Sequence, residues 1–169
     1  PGCDSFVLQG CTGSGGNDTY LVTENSWDTV LKDLNKYEIY LLAPNIQHSY
    51  SVNIHALIGK NIAFTSPSIQ IIENENNRII YHGADFIEFR NVPIEIKNKI
   101  IELSTQICGK LQCMGYKGIL GIDYLIEGDH IYFLEINPRF QASTPLINLE
   151  LADAHGLTIQ DILLNIFSK

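Results

Sequence analysis

Residues 131–140 read IYFLEINPRF, and within them Glu135, Asn137 and Arg139 recur at every second position. A β-strand turns successive side chains to opposite faces. Ile131, Phe133, Glu135 and Asn137 therefore share one face, and Tyr132, Leu134 and Ile136 the other. The segment before it, GILGIDYLIE (118–127), supplies a second carboxylate, Asp123. A three-residue loop, Gly128-Asp129-His130, predicts an antiparallel hairpin with Asp123 directly opposite Glu135. Opposed residues have Cβ atoms about 4.5–5.5 Å apart. Two carboxylates that close repel, and a divalent cation relieves the repulsion. Asn137 adds a neutral oxygen. An oxygen-only set of low charge suits Mg²⁺, which takes one or two carboxylates together with substrate phosphates. Arg139 is then a cation placed to grip a phosphate in bidentate fashion. Taken alone, the same acidic strand also fits a solvated face.

A second feature suits phosphate. FVLQG (6–10) reads as a short buried strand, CTGSGGNDT (11–19) as a glycine-rich loop and YLV (20–22) as a returning strand. Such loops expose backbone N–H groups that can cradle phosphate oxygens. The GSGG segment lacks the Gly-Lys-Ser/Thr of a P-loop, which excludes a Walker A site. Hairpin and loop call for the same ligand, a nucleotide with its metal.

The elements that must hold these residues follow from periodicity. ENSWDTVLKDLNK (24–36) carries Trp27, Val30, Leu31 and Leu34 at helical spacing, with Asn25 or Ser26 as N-cap. YEIYLLAP (37–44) is a strand ended by proline. SYSVNIHALIG (49–59) alternates apolar residues with Ser51, Asn53 and His55, which predicts a half-buried strand. Segments 61–66, 68–74 and 78–86 continue a mainly antiparallel sheet, and IENENNR (72–78) reads as a solvated turn. A helix over 93–113 places Ile96, Ile100, Leu103, Ile107 and Leu111 in one stripe, capped by Asn91 with Pro93 in its first turn. A last helix is predicted over 158–167. Runs of strands with helices set apart indicate an α+β fold.

Composition excludes several classes. The chain has 169 residues, 45% of them hydrophobic and 18% charged, which suits one sizeable core or two small lobes rather than a disordered segment. A net charge of −8 with no basic stripe argues against nucleic acid as a partner. No apolar run reaches the ~18 residues of a membrane span, and no signal peptide opens the chain. Cys3, Cys11, Cys108 and Cys113 lack paired or zinc-type spacing and read as free thiols of a cytoplasmic protein. The five histidines show no metal spacing. Met114 is the only methionine, and the chain opens PGCDSF directly into a strand, as a fragment of a longer protein would.

The segments FVLQGCTGSGGNDTYLV, SIQ and GYKGILGIDYLIEGDHIYFLEINPR, in that order, resemble the ATP-grasp superfamily over roughly residues 5–145. The branch nearest in pattern is that of biotin carboxylase and carbamoyl-phosphate synthetase. The resemblance implies an ATP-grasp fold of two α+β lobes, with residues 1–40 a partial small lobe and 41–169 the large lobe. The N-terminal domain that normally precedes them is absent. It implies that Gly13, Ser14, Gly15 and Gly16 form the flap over the ATP phosphates. Tyr40, Leu41 and Leu42 form the hinge that meets adenine. Asp123, Glu135 and Asn137 become magnesium ligands, with Mn²⁺ able to substitute, and Arg139 the catalytic arginine. Gln70 falls where related enzymes place a polar active-site residue. Family members activate a carboxylate with ATP as an acylphosphate, which an amine or a thiol then attacks. Two positions depart from the pattern. Gln9 stands where a phosphate-contacting lysine is usual, and the hinge lacks its glutamate, leaving Asn53 or Asn45 as substitutes. These departures keep open a degenerate, non-catalytic nucleotide-binding or interaction module.

Overall fold

The computed structural model describes residues 4–12, 18–36 and 38–168. The glycine loop with Gly13, Ser14, Gly15 and Gly16 lies outside the described residues. Contacts divide the chain into two compact units, Pro1–His48 with Ile71–His82, and Ser49–Gln70 with Gly83–Lys169. Residues 41–48 and 71–82 thus group with the N-terminal segment. Every strand pairing named below is antiparallel, and the longer helices stand apart from the strands, one after residue 85 and two after residue 137, so the α+β expectation holds.

In the first unit, β1 (Ser5–Gly10) lies between β2 (Thr19–Thr23) and β3 (Tyr40–Pro44), with Leu8 opposite both Tyr20 and Leu42. Leu8, Tyr20, Val22 and Val30 form its buried cluster, Val30 coming from helix α1 (Trp27–Asp33). That helix is shorter than the predicted 24–36. Ser26 occupies the N-cap position but makes no side-chain cap bond, because its hydroxyl accepts from the Thr23 N–H at 2.9 Å instead. Strand β7 (Arg78–Asp85) meets β2 at Tyr20, where the Arg78 guanidinium lies 5.4 Å from the tyrosine ring centre. The connection from β6 (Ser68–Glu75) to β7 is Asn76-Asn77, with φ of 52° and 67°. Two successive left-handed residues are what a type I′ hairpin turn requires, and asparagine accepts that conformation more readily than most residues.

The second unit is built on β4 (Tyr50–Ile58). It pairs β8 (Gly118–Glu127) along its length, the start of β6 at Ser51–Asn53, and β5 (Ile62–Phe64) at its far end. Strand β9 (His130–Asn137) adds to β8. One sheet face is apolar: Val52, Ile54, Ala56 and Ile58 join Leu120, Ile122, Tyr124 and Ile126 under Ile96, Ile100 and Cys108 of helix α2 (Ile94–Cys113). Burying each such isoleucine contributes about 1.5–3 kcal/mol. Asn91 does not cap α2. It ends a short 3₁₀ turn, Glu88–Asn91, and its amide donates to Glu88 at 3.1 Å, while Pro93 takes the N-cap position. The other face is apolar only toward one end, where Leu57 and Ile119 pack on Ile147 and Ile159. These come from α3 (Thr144–His155) and α4 (Ile159–Phe167). Thr158 and Asp161 close a capping box at the start of α4. Helix α3 was not anticipated.

The alternation in β4 predicts water on its polar side, yet Ser51, Asn53 and His55 are all buried. Each has a partner there: Ser51 bonds Gln70, Asn53 bonds Asp123 and Gln141, and His55 meets Thr144. Among the described cysteines, Cys11 and Cys113 are exposed and Cys108 buried, and all three are free thiols. No helix among the described residues is long and apolar enough to cross a membrane.

Candidate functional site

The β8–β9 hairpin brings Asp123 opposite Glu135, but not through a three-residue loop. Glu127 pairs with His130, leaving a two-residue turn, Gly128-Asp129, with Gly128 at φ 54°. A positive φ at the first central position is what the primed hairpin turns demand. That turn alone would set Leu134 opposite Asp123. A register shift between Asp123 and Tyr124 makes Leu134 an extra residue, so Tyr124 pairs with Phe133 and Asp123 with Glu135. A bulge therefore re-aims the acidic pair.

On the same face, Asn53 of β4 pairs with Asp123, and Ser51 with Gln70 of β6. The Asp123 carboxylate collects three amide donors. Asn53 Nδ2 reaches Oδ1 at 2.5 Å, Gln70 Nε2 reaches Oδ1 at 3.3 Å and Asn137 Nδ2 reaches Oδ2 at 2.8 Å. Asn137 Nδ2 also donates to Glu135 Oε1 at 2.9 Å. Arg139 donates to Asn137 Oδ1 at 3.2 Å and to the Phe140 carbonyl. The sequence-derived set Asp123, Glu135, Asn137, Arg139 and Gln70 thus forms one connected group inside the second unit.

Asp123 is buried, whereas Glu135 is exposed. Burial pushes the Asp123 carboxyl up to about 6, and the Glu135 charge adds to the rise. The Asn53 bond and the Arg139 charge oppose it. Among the described residues, no cationic side chain lies within ion-pair distance of either carboxylate. The positive end of the Asn137 amide stands between them instead.

These residues fit a hard divalent cation. Two carboxylates and an amide supply oxygen ligands only. For Asn137 to contribute its oxygen, its amide must turn over, which releases the nitrogen now shared by the carboxylates. Asn53 Oδ1 is buried without a hydrogen-bond partner among the described residues, and offers an acceptor to the hydration shell that Mg²⁺ keeps.

The other sequence-derived residues lie in the first unit. Gln9 is exposed on β1, opposite Thr19 and Leu41. Tyr40, Leu41 and Leu42 belong to β3, which pairs with β1 on one side and is an edge among the described strands. Leu41 and Leu42 are exposed, and the Tyr40 hydroxyl accepts from the Asn35 N–H at 3.1 Å. Asn45 donates to Ser5 at 3.0 Å, and Asn53, in the second unit, donates to Asp123.

Sequence reasoning missed four features. Gln141 and Gly121 join the carboxylate group through Asn53, and no local spacing marks them. Glu38 accepts from Thr12 N–H at 2.8 Å and from the Thr12 hydroxyl, at the edge of the glycine loop. Those bonds hold its carboxyl below the usual range. Finally, Glu73, Glu75 and His82 bring their ligand atoms within 4.8 Å of one another, against the expectation that no histidine has metal neighbours. All three are exposed, and surface groups of this kind form without an ion.

Residues 2–143 match the family model described as an ATP-grasp domain. The arginine-specific large chain of carbamoyl phosphate synthase from Geobacillus stearothermophilus is 32% identical over 80 residues, 46% of this chain and 7% of that protein. Among solved structures, N5-carboxyaminoimidazole synthetase from Staphylococcus aureus, complexed with ADP, superposes with a TM-score of 0.65 at 18% identity. The match covers 96% of this chain and 40% of that one. Biotin carboxylase from Campylobacter jejuni gives 0.67 at 14% identity, covering 96% and 36%. The chain thus spans well under half the length of each of these three.

Proposed function

The chain belongs to the ATP-grasp family, and from that premise we propose that it is the Mg-ATP-binding part of a carboxylate–amine, or carboxylate–thiol, ligase working through an acylphosphate. The observation that carries this reading is the convergence of Asp123, Glu135, Asn137 and Arg139 on one hairpin face. Asp123 and Glu135 hold the metal, either Mg²⁺ or Mn²⁺, with Asn137 as third ligand. The bound metal supplies positive charge to the triphosphate. Arg139 steadies the transferring phosphoryl group or the carboxylate acceptor. Gln70 and Asn53, by donating to Asp123, keep its carboxylate aimed. The edge of β3 at Tyr40–Leu42, unpaired among the described strands, offers backbone groups to the adenine edge. Gly13, Ser14, Gly15 and Gly16 close over the phosphates, and Gln9 contributes a neutral donor. The work is charge neutralisation and positioning, as in phosphoryl transfer generally. Acceptor and nucleophile pockets draw on further parts of the parent protein, and cytoplasmic residence fits the same reading.

Gln9 favours a second reading, a degenerate domain that binds nucleotide without turnover. Residues 11–19 contain no lysine or arginine, so the triphosphate meets little fixed positive charge. Calorimetric titration of the chain with ATP, with and without Mg²⁺, tests binding. Absent binding overturns both readings, and metal-independent binding overturns the ligase reading alone. Hydroxylamine trapping of an acylphosphate on the complete parent protein separates them: a hydroxamate supports the ligase, and binding without a hydroxamate supports the degenerate domain.

A further inference from the structure

Asn53 is a buried amide whose orientation decides what Asp123 receives. Its nitrogen donates to Asp123 Oδ1 and, at 3.1 Å, to Gln141 Oε1, which uses both of its hydrogens. An amide's oxygen and nitrogen have nearly the same size, so packing alone hardly distinguishes the two orientations. A charged Asp123 favours the donating one, but a cation on Asp123 competes for the same lone pairs and weakens that preference. Gln141 Oε1 is a second, uncharged acceptor for that amide, and it is not a metal ligand. Turned over, Asn53 Oδ1 would face it, acceptor against acceptor.

The main chain of Gln141 is fixed. Its backbone N–H donates to Thr144 Oγ1 at 2.8 Å, and its backbone carbonyl accepts from the Thr144 N–H at 3.0 Å at the start of α3. Its side chain lies on the bare Cα of Gly121, where an added Cβ would fall 1.7 Å from Oε1 and 2.3 Å from Cδ. Gly121 pairs with His55 on one side and Asn137 on the other, in the middle of the sheet. A side chain there would evict Gln141.

We propose that Gln141 is a positioning residue for the metal site: seated in the notch at Gly121, it holds the Asn53 amide in the orientation that donates to Asp123, and so fixes how Asp123 meets a divalent cation. The proposal rests on the metal reading above. A purely structural Gln141 would lower stability and leave the affinity of the folded protein unchanged.

The test is Mn²⁺ binding to the full chain without nucleotide, followed by electron paramagnetic resonance, with a urea midpoint for every variant. Gln141→Met keeps the volume and removes the acceptor. It is expected to weaken Mn²⁺ by about tenfold to a hundredfold, the usual range for groups that orient a ligand. Gln141→Glu keeps an acceptor oxygen facing Asn53 and adds a negative charge that itself attracts a cation, so it should bind Mn²⁺ no more than about threefold more weakly than wild type, and a gain is allowed. Gly121→Ala should match Gln141→Met, and the double variant should be no weaker than the weaker single, because both cut one linkage. If Gly121→Ala does not fold, the two Gln141 variants decide alone. Gln141→Met binding as tightly as wild type, equal losses in the Met and Glu variants, or losses that multiply in the double variant would overturn the role of Gln141. A wild-type chain that binds no Mn²⁺ would overturn the metal reading, and this proposal with it.

Discussion

Strands β4 and β8 present two faces with opposite economies. On one, Val52, Ile54, Ile122 and Ile126 are fully buried under α2. On the other, the same strands carry Ser51, Asn53, His55 and Asp123, also buried, in a hydrogen-bonded row. The apolar face gains free energy with each residue removed from water. The polar face gives some back, since a buried carboxylate and a buried imidazole each lose hydration that their partners restore only in part. The sheet is thus stabilised on one side and can hold a costly charge arrangement on the other.

The sharpest break in that comparison is a cavity on the apolar side. Ile122→Ala is expected to cost about 2–5 kcal/mol, because its neighbours on α2 and β4 can collapse only partly. Urea unfolding measures it. Mn²⁺ affinity of the folded fraction should not move, and a matching loss of affinity would show that the faces are not separable.

A second test sets two groups of the polar face against each other through pH. Burial lowers His55 to about 4 and raises Asp123 to about 6. Between about pH 4 and 6.5 the unfolded chain binds more protons at the imidazole, so the His55 contribution rises with pH. Between about 3.8 and 6 the folded chain binds more at the carboxyl, so the Asp123 contribution falls as pH rises. Each amounts to about 3 kcal/mol. The two contributions nearly cancel across that window, and the wild-type slope is set by other groups, among them the lowered Glu38 and Asp161. Relative to wild type, His55→Gln should tilt the profile toward a fall with rising pH, and Asp123→Asn toward a rise. Profiles parallel to wild type in both variants would mean that neither group is desolvated as described.

A smaller effect lies at a polar contact beneath the apolar face, where Ser104 Oγ and the Tyr124 hydroxyl stand 2.9 Å apart, both buried. Ser104→Ala should cost about 1–3 kcal/mol by leaving a buried hydroxyl without a partner. Adding Tyr124→Phe should recover most of it. A double variant as unstable as the sum of the singles would show that packing, not the hydrogen bond, sets the loss.

How much of this was legible follows from what period two reports. Alternation shows which residues share a face while a strand stays regular, and it placed Glu135 with Asn137, and Asn53 with His55, correctly; it also put Ile131 and Phe133 with Glu135, and the bulge turns those two to the apolar face, opposite Ile126 and Tyr124. It does not show what covers a face. Asn53 and His55 read as wet because their partners Gln141 and Thr144 lie almost 90 residues away, and Ser51 because Gln70 reaches it from another strand. The bulge at Leu134 leaves no local mark, since no glycine or proline announces it. The facing of Asp123 and Glu135 was reached with a loop one residue too long, and the bulge supplies the missing step. Helix α3 had readable signals in Pro145 near its start and Gly156, at φ 64°, at its end. Its apolar residues lie on too broad an arc to show a single stripe.

The smallest expected change in stability is the one that most sharpens the contrast. Glu135 is exposed at the rim of the polar face, opposite the buried Asp123, and accepts from Asn137 at 2.9 Å. Glu135→Gln removes a charge that repels Asp123 and leaves a side chain of the same size. The metal-free chain should therefore unfold within about 0.5 kcal/mol of wild type, as surface substitutions usually do. Binding should behave differently. The lost charge removes a ligand, and Mn²⁺ or Mg-ATP affinity should fall by on the order of 1–3 kcal/mol, about tenfold to a hundredfold. Urea midpoints and calorimetric titration on the same samples give both numbers. A variant that loses stability and affinity in proportion would make Glu135 a structural residue, and the polar face would then lose its claim to be held in place by the apolar one.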